Sequence, residues 1–413
     1  MNVAIVGGGI CGLSLALNLS QRGIDCRVYE RAPEIKELGV GITLLPHAMR
    51  EFSALDLGDT LLKAGIENRE SRFYNRFGQL IYREDRGKFA GYPFPEVGIH
   101  RGRLHVVLYD AVKERLGAQS VVTDCECVGV EQDERSATMH FKRASTGVAR
   151  ESVRADAVID CEGINSALRL QFYPDDKVVF TGINTWRGIT RRKPILDGRT
   201  YMRVGSILTG KIVIYPIIDD VDGQGNQLIN WMAEIKRDTF AQNDWNKPGN
   251  LADFFPLYES WRFDWLDVAQ LIKDAYQILE YPMVDKDPID KWTFGRVTLA
   301  GDAAHPMYPR GSNGAAQAAI DARTLADFLR SSPDPRDALK AYEAARSGPA
   351  AKVVRTNREH PPDFINIKVE ELVGDKPFDD LDKYITQDEL RALSESYKRI
   401  AGFALTDVGS RQN

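Results

Sequence analysis

The sequence predicts an α/β protein of two lobes, and three observations carry that prediction. A short run of mostly β-branched residues, Val3 to Val6, stops at Gly7-Gly8-Gly9 and passes into a helical apolar repeat. That strand–helix texture gives way over residues 70–98 and 176–285 to aromatic-rich segments with period-two alternation, and returns at Arg296–Ala300. At 413 residues the chain exceeds what one ordinary core accommodates. A parallel-sheet lobe built from discontinuous segments, with a mostly antiparallel sheet inserted between them, satisfies all three.

The elements follow in order. After the glycines, Leu13, Ala16, Leu17 and Leu19 recur at helical spacing up to Arg22-Gly23, where the glycine ends the helix. Arg27 to Glu30 form a second strand and complete a strand–helix–strand unit of about 30 residues, the size of a parallel crossover. A helix runs from about Leu104 to Leu116, Cys125 and Cys127 share one face of a strand, and Ala157 to Asp160 read as a buried parallel strand. In the inserted lobe, Lys211–Tyr215 alternates like a strand, while Arg76-Phe77-Gly78 and Asp222–Gly225 suit hairpin turns. One long helix is expected from Gly314 to about Arg355. Residues 361–413 read as polar and helical, and silent about chemistry.

Composition removes several function classes. Hydrophobic residues make up 43% and charged residues 27%, which excludes a disordered or fibrous chain. Lys+Arg 54 against Asp+Glu 59 leaves a net charge of −5 without blocks of like charge, so no nucleic-acid partner is expected. No uncharged apolar run reaches the length of about 18 residues that a membrane span needs. The five cysteines (Cys11, Cys26, Cys125, Cys127 and Cys161) form no C-x-x-C pair and have no spaced histidine partner. A metal site or disulfide framework is therefore not expected, and a reducing compartment is. The apolar start carries no Lys or Arg before it, unlike a secretory signal, so a cytoplasmic chain beginning at Met1 is expected, as monomer or homodimer.

Gly7-Gly8-Gly9-Ile10-Cys11-Gly12 satisfies G-x-G-x-x-G between a strand and a helix, the setting of a Rossmann-like dinucleotide site. Gly7 permits the tight turn, Gly9 lets backbone approach a pyrophosphate, and Gly12 allows close helix–strand packing. The helix N-terminus offers free N–H groups to the anion. Glu30, with Arg31 beside it, is placed to meet the ribose. Cys11 has two readings, a thiol acidified by the helix end or a core residue. This fingerprint serves NAD and FAD alike.

A second motif, Arg296-Val297-Thr298-Leu299-Ala300-Gly301-Asp302-Ala303-Ala304-His305-Pro306, continues through Met307-Tyr308-Pro309-Arg310-Gly311-Ser312-Asn313-Gly314-Ala315-Ala316-Gln317. A third is Asp156-Ala157-Val158-Ile159-Asp160-Cys161-Glu162-Gly163-Ile164-Asn165-Ser166-Ala167-Leu168-Arg169. In this order they resemble the GD and DG motifs of the FAD-dependent aromatic hydroxylases, the group that includes para-hydroxybenzoate hydroxylase. Arg101, in Arg101-Gly102-Arg103-Leu104, matches a further family position. Pro306-Met307-Tyr308-Pro309, Gly311 to Gly314, Trp186-Arg187-Gly188 and Ile214-Tyr215-Pro216-Ile217 are particularly similar to the phenazine hydroxylase subgroup, which acts on 5-methylphenazine-1-carboxylate. The chain departs from the pattern at Glu162, where the family usually has Asp, and at Asp160 and Cys161, where small residues are usual.

The resemblance implies an FAD-binding lobe from residues 1–69, 99–175 and 286–360, a substrate-binding sheet lobe from 70–98 and 176–285, and a helical segment 361–413. It implies a monooxygenase that consumes NADH or NADPH and O2. It would hydroxylate a small electron-rich aromatic or N-heteroaromatic through a flavin C4a-hydroperoxide, with or without decarboxylation. Asp302, Arg101, Pro309, Gly311, Ser312, Asn313, Gly314 and Ala315 would then join Gly7, Gly9, Cys11, Gly12, Glu30 and Arg31 around FAD, and Glu162, Gly163 and Arg169 would serve NAD(P)H or FAD. Phe73, Trp186, Tyr215, Trp231 and Pro309 are pocket candidates, each also readable as core or loop, and Arg187 is either an anchor for an acidic substrate group or a solvated strand residue. His305 falls in the flavin loop as a cofactor neighbour. His47 and His100 have no constellation around them, and no side-chain base is assignable. Alternatives are an FAD-dependent oxidase or dehydrogenase without oxygen insertion and a non-catalytic nucleotide-binding module. A halogenase is disfavoured because no Trp-x-Trp occurs.

Overall fold

The computed structural model describes residues 1–239, 247–359 and 361–409. Asn2–Val6 pairs in parallel with Asp25–Tyr29 on one side and with Ala157–Asp160 on the other, and Ala157–Asp160 pairs with Val297–Leu299. Val121–Val122 and the antiparallel Thr293–Phe294 complete a six-stranded sheet. Alternation decides its two faces. Val3 and Ile5 pack under the Ile10–Gln21 and Gly314–Ser331 helices, while Ala4 and Val6 meet a small sheet that carries Cys127 and Met139.

Two expected helices differ in extent. The predicted Leu104–Leu116 helix starts at Arg101. The single helix expected from Gly314 is two, Gly314–Ser331 and Pro335–Glu359. Pro335 has no N–H to continue a helix but suits a first turn, and Asp334 accepts a hydrogen bond from the backbone N–H of Arg336 (2.9 Å).

Seven strands form the second sheet, in the order Gln277–Asp285, Val179–Arg192, Gln227–Lys236, Gly210–Ile218, Thr200–Ser206, Glu70–Tyr74 and Leu80–Asp85. All neighbours are antiparallel except Thr200–Ser206 beside Glu70–Tyr74. One face buries Trp186, Trp231, Met202, Ile212 and Ile214 against Phe254 and Tyr258. The other turns toward the parallel-sheet lobe, where the backbone N–H of Gly41 donates to Asn230 Oδ1 (2.7 Å). The pocket assignment of Trp186 and Trp231 is thereby corrected. Period-two alternation sends both indoles to the far face, and Trp186 stacks on Phe254 at 5.1 Å. Phe73 lies on the near face but is sealed among Tyr82, Ile365 and Val369, so it too is core.

The C-terminal segment forms the helices Phe364–Val373, Gln387–Ile400 and Leu405–Gly409. Thr386 and Glu389 start the second with a reciprocal capping box. Among the described residues no helix is long and apolar enough to cross a membrane.

Candidate active site

The first glycine turn is built by exclusion of side chains. Gly7 has φ +100°, and a Cβ there would lie 2.4 Å from the carbonyl oxygen of Cys161. At Gly12 a Cβ would lie 2.0 Å from the carbonyl oxygen of Gly7, whereas at Gly9 it would meet no protein atom within 4 Å. Gly7 and Gly12 thus serve packing, and Gly9 leaves the approach to the helix open. No side chain caps the Ile10–Gln21 helix, so its first N–H groups stay free to face an anion. Glu30 braces the turn, accepting from the N–H of Gly8 and of Ala32 (2.6 Å each). Arg31 and Arg101 are exposed beside the turn. Cys11 is buried with its Sγ 3.6 Å from that of Cys161. The Cys161 contact and burial push its thiol well above the usual range, so of its two readings core packing fits.

The second turn is held from beneath. Gly301 takes φ +58° and donates its N–H to Asp321 Oδ2 (3.0 Å), an oxygen that also faces His305 Nε2 at 2.6 Å. Arg346 bonds the other Asp321 oxygen at 2.7 Å and Gln317 at 2.6 Å. Burial alone would raise the Asp321 carboxyl, but His305 and Arg346 hold it well below its ordinary range. His305 is therefore a strut under the turn. Asp302 next to it is exposed, and its carboxylate has no hydrogen bond among the described residues.

Gly311 to Gly314 lead into the next helix, and Pro309 is exposed ahead of them. Ser312 is held at φ +55°, a left-handed conformation that costs a non-glycine residue about 1 kcal/mol or more. The side chain of Asn313 points away from the turn's open side. Its Nδ2 donates to the carbonyl of Gly311 (3.2 Å) and the hydroxyl of Tyr397 (2.8 Å), and its Oδ1 meets His47 Nε2 (3.2 Å). Tyr397 donates in turn to Asn357 Oδ1 (2.9 Å). His47 stacks on Phe403 at 5.1 Å, and burial followed by Arg50 lowers its pKa to about 3, so it is neutral. Tyr397 and Phe403 come from the segment expected to be silent about chemistry, and His47 from one with no constellation. No local signal links the three, because their partners lie far away in sequence.

The DG segment corrects one assignment. Arg169 is fully buried and its donors are used: Nε and Nη2 bond Asp176 at 2.8 and 3.0 Å, and Nη1 bonds the carbonyls of Ala303 and Ala304 at 2.9 Å. It anchors the turn after Asp302, with its donors engaged by the protein itself. Gly163 has φ +82° and no atom near its Cβ position. Glu162 reaches the start of the Ala167–Phe172 helix, accepting from the N–H groups of Ala167 (3.2 Å) and Leu168 (3.4 Å). Burial, then repulsion from Asp160, raises the Glu162 carboxyl, and burial raises Asp160. A carboxyl raised in the folded state stabilises it below the unfolded pKa, and that contribution fades as pH climbs toward the folded value. Melting temperature is therefore expected to fall from about pH 4.5 to about pH 8, and to fall less in Glu162→Gln. Parallel melting curves for the two proteins across that range would rule this out.

On the near face of the seven-stranded sheet, Tyr215 stacks on Tyr201 at 4.9 Å, and burial raises its phenol well above the usual range. Arg187 lies over the ring of Tyr281 at 5.2 Å, with Nε shielded from solvent and unbonded. Burial lowers its pKa. Arg187 is half-buried at this position.

The family model described as FAD binding domain matches residues 1–185 and 277–357. The chain is 39% identical to the phenazine 1,6-dicarboxylic acid hydroxylase PhzS of Lysobacter antibioticus, over 87% of this chain and 89% of the relative. It is 30% identical to 3-hydroxybenzoate 6-hydroxylase of Polaromonas naphthalenivorans (strain CJ2), over 86% of each chain. Among solved structures, Klebsiella pneumoniae HpxO complexed with FAD and uric acid superposes with a TM-score of 0.74 at 22% identity, covering 99% of this chain and 97% of that one. At that identity the likeness establishes the fold.

Proposed function

Because the chain belongs to the FAD binding domain family and is an FAD-dependent aromatic hydroxylase, we propose that its substrate is an electron-rich N-heteroaromatic acid of the phenazine carboxylate type. The reading places the substrate between the Gly311–Gly314 turn and the near face of the seven-stranded sheet. The observation that carries it is Arg187, a half-buried arginine whose Nε is shielded from water and unbonded and which, among the described residues, has no carboxylate partner. Such a group favours an incoming anion. The two relatives are both named for aromatic acids, which agrees.

The residues present fit FAD. Gly9, Gly163 and Gly314 are glycines where a Cβ would meet no protein atom, as a cradle for a ligand requires. In this reading Gly7, Gly9 and Gly12 with the following helix hold the pyrophosphate, and Glu30 and Arg31 meet the adenosine end. Arg101 and the unpaired Asp302 hold the chain leading to the flavin ring, and Gly311 to Ala315 present backbone N–H groups to it. When bound, FAD accepts hydride from NADH or NADPH and delivers one oxygen atom of O2 to the aromatic ring. The protein's own part is to orient the ring through Arg187, to cover it with Tyr201 and Tyr215, and to keep water out. No general base is invoked, since neutral His47 and the Asp321-bound His305 are both engaged in holding loops.

A panel of phenazines and hydroxybenzoates, scored by product mass against NAD(P)H oxidised, tests the reading. In Arg187→Gln the KM for a carboxylated substrate is expected to rise about 10- to 100-fold, with little change for its uncharged analogue. Equal losses for both analogues would remove the anchoring role. Release of hydrogen peroxide alone across the panel would point instead to a substrate outside it.

A further inference from the structure

The near face of the seven-stranded sheet carries a second guanidinium of the same kind, in the same cross-strand row as the first. Arg187 pairs with Met232, Met232 with Val213, and Val213 with Arg203, so the four residues stand side by side on four consecutive strands. Arg203 is only 7% exposed, has the rings of Tyr201 and Phe73 within 4.8 Å, and bonds one hydroxyl, that of Ser71, at 2.6 Å. No carboxylate among the described residues pairs with it. Five donors with one acceptor are under-used for a buried guanidinium.

Other cations around this face are neutralised. Lys211 bonds both oxygens of Glu234 at 2.8 Å and Asp363 at 3.0 Å, and Arg310 is paired with Asp363. Arg86 and Lys398 share Glu84. Arg187 and Arg203 alone of these stand without an acid. Between them Met232 stays partly exposed while the residues before and after it are buried, and a thioether there offers an adaptable surface for a flat ring. Arg203 and Tyr201 line a cavity shared with Gly311, Ser312 and Tyr397, which puts this end of the row beside the flavin turn.

We infer that the site takes a planar fused-ring dianion whose two acidic groups lie on opposite edges, one bonded by Arg187 and the other by Arg203, with the rings lying over Met232 and Val213. Three strand spacings of about 4.8 Å separate the two backbone positions by about 14 Å, and the side chains lean outward from the row, Arg187 over Tyr281 and Arg203 over Phe73. That span suits a bicyclic or tricyclic diacid better than a single benzoate ring. The inference rests on the acid-binding reading of Arg187 and adds to it the second anchor and the second charge.

The test titrates the FAD-loaded wild-type protein with phenazine-1,6-dicarboxylate, phenazine-1-carboxylate and unsubstituted phenazine, following flavin absorbance for affinity and NAD(P)H oxidation for turnover. The dicarboxylate is expected to bind about 10- to 100-fold more tightly than the monocarboxylate. In Arg203→Gln that gap should close, because only the dicarboxylate loses a contact, and Arg203→Lys should restore part of it. Equal affinities of wild type for the two acids would overturn the inference while leaving the Arg187 reading intact. So would an Arg203→Gln protein that keeps the wild-type gap. If neither acid binds better than phenazine itself, the acid-binding reading fails as well. The wild-type comparison decides even where a variant does not fold.

Discussion

Gly311→Ala is expected to lower turnover about 100-fold or more while the protein still folds. A Cβ on Gly311 would fall 1.5 Å from the hydroxyl of Tyr397. A phenol tip can often swing aside, but this one is buried, accepts from Asn313 at 2.8 Å and donates to Asn357 at 2.9 Å. Either the turn or the Gln387–Ile400 helix must move. Displacing Tyr397 leaves the buried amides of Asn313 and Asn357 short of a partner, at about 1–3 kcal/mol each. Displacing the turn misdirects the N–H groups proposed for the flavin ring, and misplacement by about 1 Å can cost a hundredfold in rate. The check is steady-state kinetics with FAD saturating, together with a Gly311→Ala/Tyr397→Phe double variant. Removing the hydroxyl should recover part of the lost rate. A single variant with wild-type turnover would show that the C-terminal helix does not control the turn.

Gly9→Ala is expected to give a protein that melts like the wild-type apoprotein but loses yellow colour on dilution, with FAD affinity weakened about 100-fold. Gly7 and Gly9 differ in what surrounds them. Alanine at Gly7 drives a Cβ into the backbone of Cys161 and Glu162, and its φ of +100° adds strain, so loss of flavin there could follow from loss of the fold. Alanine at Gly9 meets no atom of the described residues within 4 Å, so they give a folding defect no source. What it obstructs is the close approach of a pyrophosphate to the helix N-terminus. Apoprotein melting curves and equilibrium titration with FAD separate the two effects. Wild-type affinity in Gly9→Ala would mean that the nucleotide crosses the turn elsewhere.

The two histidines of the site show how far residue type carries an argument. Neither His305 nor His47 occupies a base's position: one is bonded to Asp321, and the other is neutral and stacked beneath Asn313. Both stiffen the turns where glycine and a left-handed serine make the backbone most deformable. Arg169 behaves alike, since it holds two carbonyls of the turn after Asp302.

Several features were legible because their physics is confined to a few consecutive residues. The spacing of Gly7, Gly9 and Gly12, the alternation at Lys211–Tyr215, the buried strand Ala157–Asp160 and the order of the three motifs each state a local steric or solvent requirement. The tertiary structure decided what depends on the meeting of distant segments. Tyr397 reaches Asn313 across 84 positions, and Trp186 and Trp231 turn to the far face because of the sheet's orientation, not their own sequence. Arg187 and Arg203 share a row only because three strand registers align. A register slip of one residue would send a side chain to the opposite face with the local sequence unchanged, and hydrophobic spacing alone does not fix which strands pair.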